Sequence, residues 1–288
     1  MSEALATLLA ARFKAACIAE LEAVKPGNVH ALADGHGMTV QDFLRSAEAA
    51  AGVIAQPELS IGQRILQAIQ ATQAAVGCNT NLGIVLLCAP LIQTALQAGG
   101  KITREYLQRT LAQLSVQDAE DAFAAIRLAN PAGLGHSARH DVAMPADVTL
   151  LDAMRDAAER DLIARQYANG YEQVYAGRDY YRDLCARWVR PAWATSALYL
   201  YFLTHFPDSH IARKYGTDLA LNVQQEAAVH WQALASCDNP KTYLRPLLDF
   251  DRSLKERGIN PGTSADMTVA TLLTEGLSTA IRFGADGS

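Results

Sequence analysis

The sequence predicts an all-α protein, with residues 1–288 forming a single large multi-helix domain of about a dozen helices around a central apolar helix. Three observations predict this class. Alanine, leucine and glutamine, which favour helices, are abundant along the chain. Runs in which β-branched and polar residues alternate, as in half-buried strands, are almost absent. Half of the 288 residues are hydrophobic, so the chain can bury a sizeable core without disulfides.

Apolar periodicity and helix-end signals place twelve helices along the chain. Pro191 suits the first position of one of them. Four segments have the spacing of a capping box, with aspartate at its third position: Thr39-x-x-Asp42, Ser115-x-x-Asp118, Thr149-x-x-Asp152 and Thr263-x-x-Asp266. The predicted helices cover residues 2–23, 39–55, 60–75, 81–98, 103–113, 116–129, 149–176, 179–189, 191–205, 217–236, 242–256 and 264–282.

The helix predicted over 81–98 contains the longest apolar run of the chain, Leu82 to Ile92. This run is about half the length that a membrane span needs, so we expect it in the centre of the core. Pro90 lies inside the run and predicts a kink or a break, because proline removes a backbone donor and its ring crowds the preceding turn.

Charge and cysteine usage exclude several classes of function. The 25 basic and 30 acidic residues give a formal charge of −5, which argues against a nucleic-acid partner. The five cysteines are odd in number, widely spaced and without a C-x-x-C pair, which indicates reduced thiols. The N-terminus has no clean apolar segment of the secretory type. We therefore expect a cytoplasmic protein with no membrane partner; a homodimer is also compatible with the sequence.

The first loop that could carry chemistry is Lys25-Pro26-Gly27-Asn28-Val29-His30. Pro26 ends the first helix, and Gly27 and Asn28 both tolerate positive φ, so the backbone can fold into an anion-binding nest. A lysine, this nest and a histidine suit a phosphate or polyphosphate. The alternative is an ordinary helix C-cap with a solvated lysine, which the usual turn preferences favour slightly when the segment is taken alone.

The second loop, Gly77-Cys78-Asn79-Thr80-Asn81, directly precedes the apolar helix. A helix N-terminus offers free N–H groups and the positive end of the helix dipole, so an anionic or sugar-bearing ligand could bind there. Capping by Asn79 or Thr80 alone is the alternative. Three consecutive polar side chains exceed what a single cap requires.

The third loop runs from Asn130 to Asp141 and is rich in glycine, so it could close over a site. It brings His136, Arg139, His140 and Asp141 near one another. Two histidines four residues apart indicate metal binding only on a helix, and no third ligand pattern is present. A zinc site is therefore the weaker interpretation of this loop.

The predicted helix over 149–176 places two charged residues on an apolar face. On a helical wheel Asp161 and Arg165 fall within about 20° of the centre of that face. Buried charges must be paired or used. Two interpretations stand: an Asp161–Arg165 ion pair, or a carboxylate that faces a polar cavity between helices.

The last loop, Asn260 to Asp266, contains a Pro-Gly turn before a helix start. Asp266 is either the third residue of a capping box or a magnesium ligand near the anion-binding loop. Mg²⁺ bound to a polyphosphate typically takes one or two protein carboxylates.

Several short pieces of sequence occur in the order found in one known family. They are Glu20 before Lys25-Pro26-Gly27, Phe43-Leu44-x-Ser46-Ala47, Asn79-Thr80-x-x-Gly83, Ala125-Ile126-Arg127, Asp141-Val142 and Gly262-x-x-Ala265-Asp266. The set covers most of the chain and resembles the triphosphoribosyl-dephospho-CoA synthase family. Each piece is weak by itself, whereas the ordered set is fairly specific.

The resemblance implies a mainly helical transferase. Members take ATP and 3′-dephospho-CoA, join the ATP ribose to a ribose hydroxyl of the second substrate and release adenine. The implied partners are ATP, a ribose-containing small-molecule acceptor and Mg²⁺ carried as Mg-ATP. Glycosyl transfer of this kind uses carboxylates, and a triphosphate needs cations, backbone N–H groups and Mg²⁺.

Together with these loops, the resemblance implies a role for each candidate residue. The expected catalytic residues are Asp141, Asp161 and Glu20. The expected nucleotide- and phosphate-binding residues are Lys25, Gly27, Asn28, His30, Asn79, Thr80, Asn81 and Arg127, with Arg160 or Arg165 as a further cation. The expected metal ligands are Asp266, Asp121 and Asp34. Asp121 and Arg127 have an equally weighted alternative as solvated charges on a helix face.

The sequence departs from the family pattern at two places. The family usually has His-Lys after Asn-Thr, where this chain has Asn81-Leu82, and Gly-x-His-x-Asp-Met is represented only by Gly35-His36-Gly37-Met38. The chain is more similar to a branch with KPGNVH and NTNLGI, seen in archaea and some one-carbon-metabolising bacteria. A different acceptor, in the synthesis of a one-carbon carrier, is therefore one alternative. A metal-dependent N-glycoside hydrolase and a nucleotide-binding regulator without turnover are the others.

Overall fold

A computed structural model of the chain describes residues 3–285, and over these residues the protein has fourteen α-helices, one short 3₁₀ helix at Pro240–Tyr243 and no strand. The predicted all-α class is confirmed. The helices are α1 Glu3–Glu22, α2 Val40–Ile54, α3 Ile61–Val76, α4 Leu82–Gln97, α5 Arg104–Ala112, α6 Val116–Ala129, α7 Leu150–Ala157, α8 Leu162–Asn169, α9 Glu172–Arg187, α10 Pro191–His205, α11 Ser209–Tyr215, α12 Thr217–Ala235, α13 Leu244–Glu256 and α14 Gly262–Ala285.

The apolar helix α4 lies in the centre of the larger hydrophobic cluster, as the sequence predicts. Thirteen of its 16 residues are buried. It packs against α1, α2, α3, α5, α6, α8 and α14. A second cluster joins the buried faces of α9, α10, α12 and α13. Because these helices surround α4, its N-terminal end lies among them.

The predicted break at Pro90 is wrong, because α4 runs through it without interruption, and the kink stays a prediction. Pro90 has no N–H to donate to the carbonyl of Leu86, four residues earlier. The hydroxyl of Tyr167 donates to that carbonyl at 2.6 Å, and the hydroxyl of Tyr171 donates to the carbonyl of Leu87 at 2.9 Å. The hydroxyl groups of two buried tyrosines therefore donate hydrogen bonds to backbone carbonyls in the turn before Pro90.

The single helix predicted over 149–176 is also wrong, since this segment forms α7, α8 and the start of α9. Asp161 caps α8 by accepting from the N–H groups of Ile163 and Ala164 at 2.9 and 3.0 Å. Gly170 then ends α8 in the left-handed conformation, with φ at 71°. The helix predicted over 179–189 accordingly begins earlier, at residue 172. Apolar periodicity alone does not show these interruptions.

Two capping boxes are confirmed, at Thr39 and Ser115, and a third of the same kind occurs at Ser60. Thr149 caps α7 by accepting from the N–H of Asp152. The predicted box at Thr263 is wrong, because α14 already begins at Gly262 and the Thr263 hydroxyl accepts from the N–H of His210 at 3.1 Å.

The short helix α11 is absent from the predicted set. Asp208 caps it and Gly216 ends it, so it has only seven residues and little periodicity to detect. None of the helices described in residues 3–285 combines the length and the apolar character that a bilayer crossing would need.

Candidate active site

A cavity of about 870 Å³ opens where α1, α4, α8, α11 and α14 approach one another, below the loop that follows α6. Residues from all four of the loops and from the helix segment singled out in the sequence lie around it. Its walls include the predicted site residues Glu20, Asn28, Asn79, Thr80, Asn81, Asp141, Asp161 and Asp266. Several distant turns thus meet at one site.

Glu20 and Lys25 form a fully buried ion pair at the wall of the cavity. Lys25 also donates to Oδ1 of Asn28 at 3.0 Å, and Nδ2 of Asn28 donates to Oδ1 of Asn260 at 2.8 Å. Burial raises the pKa of Glu20, and the lysine opposes that rise. Lys25 has no exposed surface and does not line the cavity, so its direct role is to hold Glu20 in place and balance its charge.

The rest of the first loop is anchored behind the cavity rather than exposed in it. The N–H of Gly27 donates to Oδ1 of Asp251 at 2.8 Å, across 224 residues of chain. His30 is completely buried, and its Nε2 lies 3.4 Å from Oδ2 of Asp251 without making a hydrogen bond. Lys255 donates to the same carboxylate at 3.1 Å. These contacts fix the position of the loop that carries Lys25.

The polar residues before α4 divide between capping and the cavity wall. Oδ1 of Asn79 accepts from the N–H of Leu82 at 3.2 Å, as the capping interpretation expects. Asn81 donates through Nδ2 to the hydroxyl of Thr72 at 3.0 Å, while its Oδ1 is buried and has no hydrogen-bond partner. Since buried polar atoms are usually paired, this oxygen is the atom at the α4 end that lacks a protein partner.

Asp161 lies at the boundary between α7 and α8 and lines the cavity. One of its oxygens caps α8, and the other lies 3.5 Å from the guanidinium of Arg213. The alternative of an Asp161–Arg165 ion pair is wrong, because Arg165 donates to the carbonyls of Ala158 and Glu159. The carboxylate therefore faces a polar cavity between helices, which was the other interpretation.

Asp266 lies in the first turns of α14 and lines the cavity beside the start of α4. It packs so close to Gly83 that a Cβ on that glycine would lie 2.0 Å from Oδ2 of Asp266, and 2.8 Å from Cδ1 of Ile163. No group within residues 3–285 forms a hydrogen bond or an ion pair with its carboxyl group. Every other predicted carboxylate of the cavity has such a partner.

The electrostatic setting of Asp266 is unfavourable to a negative charge. Burial, with the nearby carboxylates of Asp208, Glu20 and Asp161, holds its pKa well above the usual range, and the charge of Arg213 opposes this effect. A carboxyl group that retains its proton near neutral pH can act as an acid. This environment is not visible in the sequence, since the neighbouring charges belong to three other elements, α1, α8 and α11.

Asp141 lies in the loop over the cavity, and hydrogen bonds hold that loop in shape. It accepts from the N–H groups of Ser137 and Ala143 at 3.0 and 2.8 Å, and from His136 at 3.3 Å. His140 instead pairs with Asp147 at 2.7 Å. Over residues 3–285 no three His, Cys, Asp or Glu side chains converge as a metal-ion site requires, so the two histidines do not form the zinc site weighed above.

Four further predicted residues lie away from the cavity wall. Asp34 is exposed and accepts from the N–H of Val40 at 2.8 Å, at the start of α2. Asp121 accepts from Gln117 on the surface of α6 at 3.0 Å. Gly27 and His30 lie behind the wall, as described above. Asp34 and Asp121 are thus not brought together with Asp266, and the three do not form one metal site.

Arg127 also lies outside the cavity wall. It is exposed, pairs with Glu120 at 3.2 Å and donates to the carbonyl of Val142. This fits the solvated helix-face alternative, and the contact with Val142 ties α6 to the loop over the cavity.

Three cavity residues were missed in the sequence. They are the cations Arg213 and Lys214 and the histidine His210. His210 is enclosed, and burial lowers its pKa to about 4, so it is neutral at pH 7. The only sequence signal for Arg213 and Lys214 is that they are adjacent in the chain.

Comparisons with known proteins identify the family of the chain. Residues 6–283 match CitG, the family of ATP:dephospho-CoA triphosphoribosyl transferases. The chain therefore belongs to this family and is an enzyme of the transferase class, and the resemblance seen in the sequence is confirmed.

A solved structure supports the fold. The crystal structure of a candidate triphosphoribosyl-dephospho-CoA synthase from Archaeoglobus fulgidus aligns with a TM-score of 0.62 at 24% identity, and the match covers 82% of this chain and 98% of the other. At this level of identity the likeness concerns the fold alone. A comparison with curated proteins found no match.

Proposed function

We propose that the protein transfers the triphosphoribosyl group of ATP to a ribose hydroxyl of 3′-dephospho-CoA, or of a related acceptor, and releases adenine. Membership of the family supports the type of transfer. The observation that carries the proposal is the pair of cavity carboxyl groups in unlike surroundings: Glu20 has a buried lysine partner, whereas Asp266 has none. The cavity volume of about 870 Å³ lies near the upper end of the range of about 300–1,000 Å³ for small-molecule sites.

The reaction breaks the bond between C1′ of the ATP ribose and N9 of adenine, and it forms a bond between C1′ and the acceptor oxygen. The electron pair of the broken bond goes to adenine, which then takes a proton. The acceptor hydroxyl loses its proton as the new bond forms. Such a transfer passes through an oxocarbenium-like state, which nearby carboxylates stabilise.

Two carboxyl groups with different environments suit these two proton transfers. Burial and the neighbouring carboxylates raise the pKa of Asp266 and so favour its protonated form, which donates to the departing adenine. Glu20 stays ionised beside Lys25 and accepts the hydroxyl proton; burial raises its pKa and makes it a better base. Solvent returns the proton from Glu20 to Asp266 after product release. This assigns Asp266 to acid catalysis, where the sequence suggested a metal ligand.

Magnesium fits the cavity as the companion of ATP. Mg²⁺ of this kind is held mostly by phosphate and water oxygens with one or two carboxylates. Asp161, which lines the cavity beside Arg213, would supply the protein oxygen. When bound, the ion neutralises phosphate charge and helps to orient the triphosphate.

The acceptor is the least constrained part of the proposal. Asn81 and Leu82 line the cavity where the family usually has His-Lys, and the buried Oδ1 of Asn81 has no protein partner. A neutral amide replaces a potentially cationic pair there. This difference favours an acceptor with a hydrogen-bonding group, rather than a negative charge, at this wall, and a ribose-containing precursor of a one-carbon carrier is the second candidate.

The test is to incubate the protein with Mg-ATP and a panel of ribose-containing acceptors, and to measure free adenine by chromatography. We expect adenine release that requires an acceptor, with the triphosphate retained in the product. Adenine release without any acceptor would instead identify an N-glycoside hydrolase. Absence of adenine with every acceptor would contradict the proposal and leave a nucleotide-binding regulator.

A further inference from the structure

Five cations from three separate segments meet at the cavity. We call them the cationic rim: Arg139, Arg160, Arg165, Arg213 and Lys214. Arg139 belongs to the loop after α6, Arg160 and Arg165 flank the start of α8, and the last two residues lie in the final turn of α11. Like charges repel, so their convergence at one opening favours an anionic ligand there.

Protein carboxylates only weakly neutralise part of the positive charge of the rim. Asp156 contacts Arg139 at 3.3 Å and Arg160 at 3.6 Å, so a single carboxylate is shared between two guanidinium groups. The two arginine side chains are 73% and 57% exposed. Exposed ion pairs contribute little, about 0–1 kcal/mol, and a phosphate can replace the shared carboxylate at small cost.

Other members of the rim have no carboxylate partner within residues 3–285. Arg165 donates only to the carbonyls of Ala158 and Glu159, at 3.1 and 3.4 Å. The ammonium group of Lys214 lies over the ring of Tyr215, 4.9 Å from its centre, and makes no ion pair. Their charges therefore remain available to a ligand in the cavity.

Two of the cations first expected to bind phosphate cannot take this role directly. Lys25 is completely buried and engaged by Glu20, and Arg127 lies outside the cavity wall. A polyphosphate that enters the cavity meets the rim instead. Guanidinium groups suit it well, because their planar donors bind phosphate oxygens in pairs.

We infer that the cationic rim is the polyphosphate subsite of the cavity and binds the triphosphate tail of the nucleotide; this inference rests on the proposed function. Arg213 connects the rim to the carboxyl groups, because its guanidinium lies 3.5 Å from Asp161 and its charge acts on Asp266. Arg213 also donates to the carbonyl of Ala132 at 3.2 Å, which docks the loop over the rim. The ribose then lies toward the carboxyl groups and the phosphates toward α11.

The test measures binding of inorganic triphosphate to the full chain by isothermal titration calorimetry at fixed salt. Arg165→Gln is the cleanest single change, since it leaves no carboxylate unpaired. We expect it to weaken binding by about 10- to 100-fold, as the loss of a charge-assisted hydrogen bond does, and the double change Arg165→Gln with Lys214→Gln to weaken it further. Arg245→Gln is the matched control, because Arg245 is an exposed arginine on α13 outside the cavity.

Unchanged triphosphate affinity in the double variant, or an equal loss in Arg245→Gln, would overturn the inference. So would a wild-type protein that does not bind triphosphate. Circular dichroism of each variant checks that the fold is kept. If wild type binds triphosphate through the rim but releases no adenine, the result contradicts the proposed function and supports the polyphosphate subsite. If wild type turns over ATP and the rim variants keep its KM for ATP, only the subsite fails.

Discussion

Gly83→Ala is the sharpest test of the role given to Asp266. The added Cβ would lie 2.0 Å from Oδ2 of the carboxyl group, whereas an ordinary contact needs 3.4 Å, so the group must move by roughly 1.4 Å. Displacements of about 1 Å at a reacting group can cost on the order of 100-fold in rate. Alanine is also the better helix former by about 1 kcal/mol, so α4 itself gains from the change.

We therefore expect Gly83→Ala to fold with nearly unchanged stability and to lose about 100-fold in acceptor-dependent adenine release. The assay is the initial rate at saturating ATP and acceptor, with urea unfolding as the measure of stability. Gly52→Ala is the matched control, because Gly52 lies in α2 and a Cβ there meets nothing within 4 Å. Wild-type turnover in Gly83→Ala, or an equal loss in Gly52→Ala, would refute the reasoning.

Three further outcomes follow from the described contacts. Lys25→Met leaves Glu20 buried without its partner, so we expect the free energy of unfolding measured in urea to fall by about 3–5 kcal/mol. In the protein that remains folded, the pKa of Glu20 rises further, so the acidic limb of the pH–rate profile moves to higher pH. Asp266→Asn lowers turnover by about 10²- to 10⁴-fold and removes the alkaline limb, because activity that needs the protonated carboxyl is lost as pH rises through its raised pKa. Tyr167→Phe removes the donor to the carbonyl that Pro90 leaves free, and costs about 1–3 kcal/mol of unfolding free energy.

Each of these outcomes has its own check. A Lys25→Met protein as stable as wild type would show that the buried pair contributes nothing. An alkaline limb that persists in Asp266→Asn would assign it to another group, whereas a lowered melting temperature at pH 8 would indicate a structural role. The cost of Tyr167→Phe should shrink in a Pro90→Ala background, where the restored N–H takes over the carbonyl. An equal cost in both backgrounds would contradict the account of α4.

Most helices of the protein follow from local signals. The apolar run of α4, the capping boxes at Thr39 and Ser115 and the proline at residue 191 act within one or two turns, so they are readable in the sequence. Interruptions within a helical pattern are harder to detect. Asp161 was placed on the face of a long helix, although a carboxylate can equally cap a new helix, and only the packing of α8 against its neighbours decides between the two.

The candidate site divides in the same way. The ordered motifs identified the family and brought Glu20, Asn79 and Asp266 into view, because each stands in a recognisable local pattern. The sequence does not show which way these side chains point or which residues surround them. Lys25 was expected to meet a phosphate, whereas in the fold it faces Glu20 and is covered by protein.

The sequence by itself determined the helical class, the central apolar helix and the family, since these depend on composition, periodicity and short motifs. Only the tertiary structure decided which charges are paired and which are free. That outcome depends on contacts between segments far apart in the chain, such as the approach of Gly83 to Asp266 and of Arg213 to Asp161. Burial and the distances between charges determine whether a carboxyl group keeps its proton and whether a cation is available to a ligand. Both burial and these distances are defined only once the helices have packed.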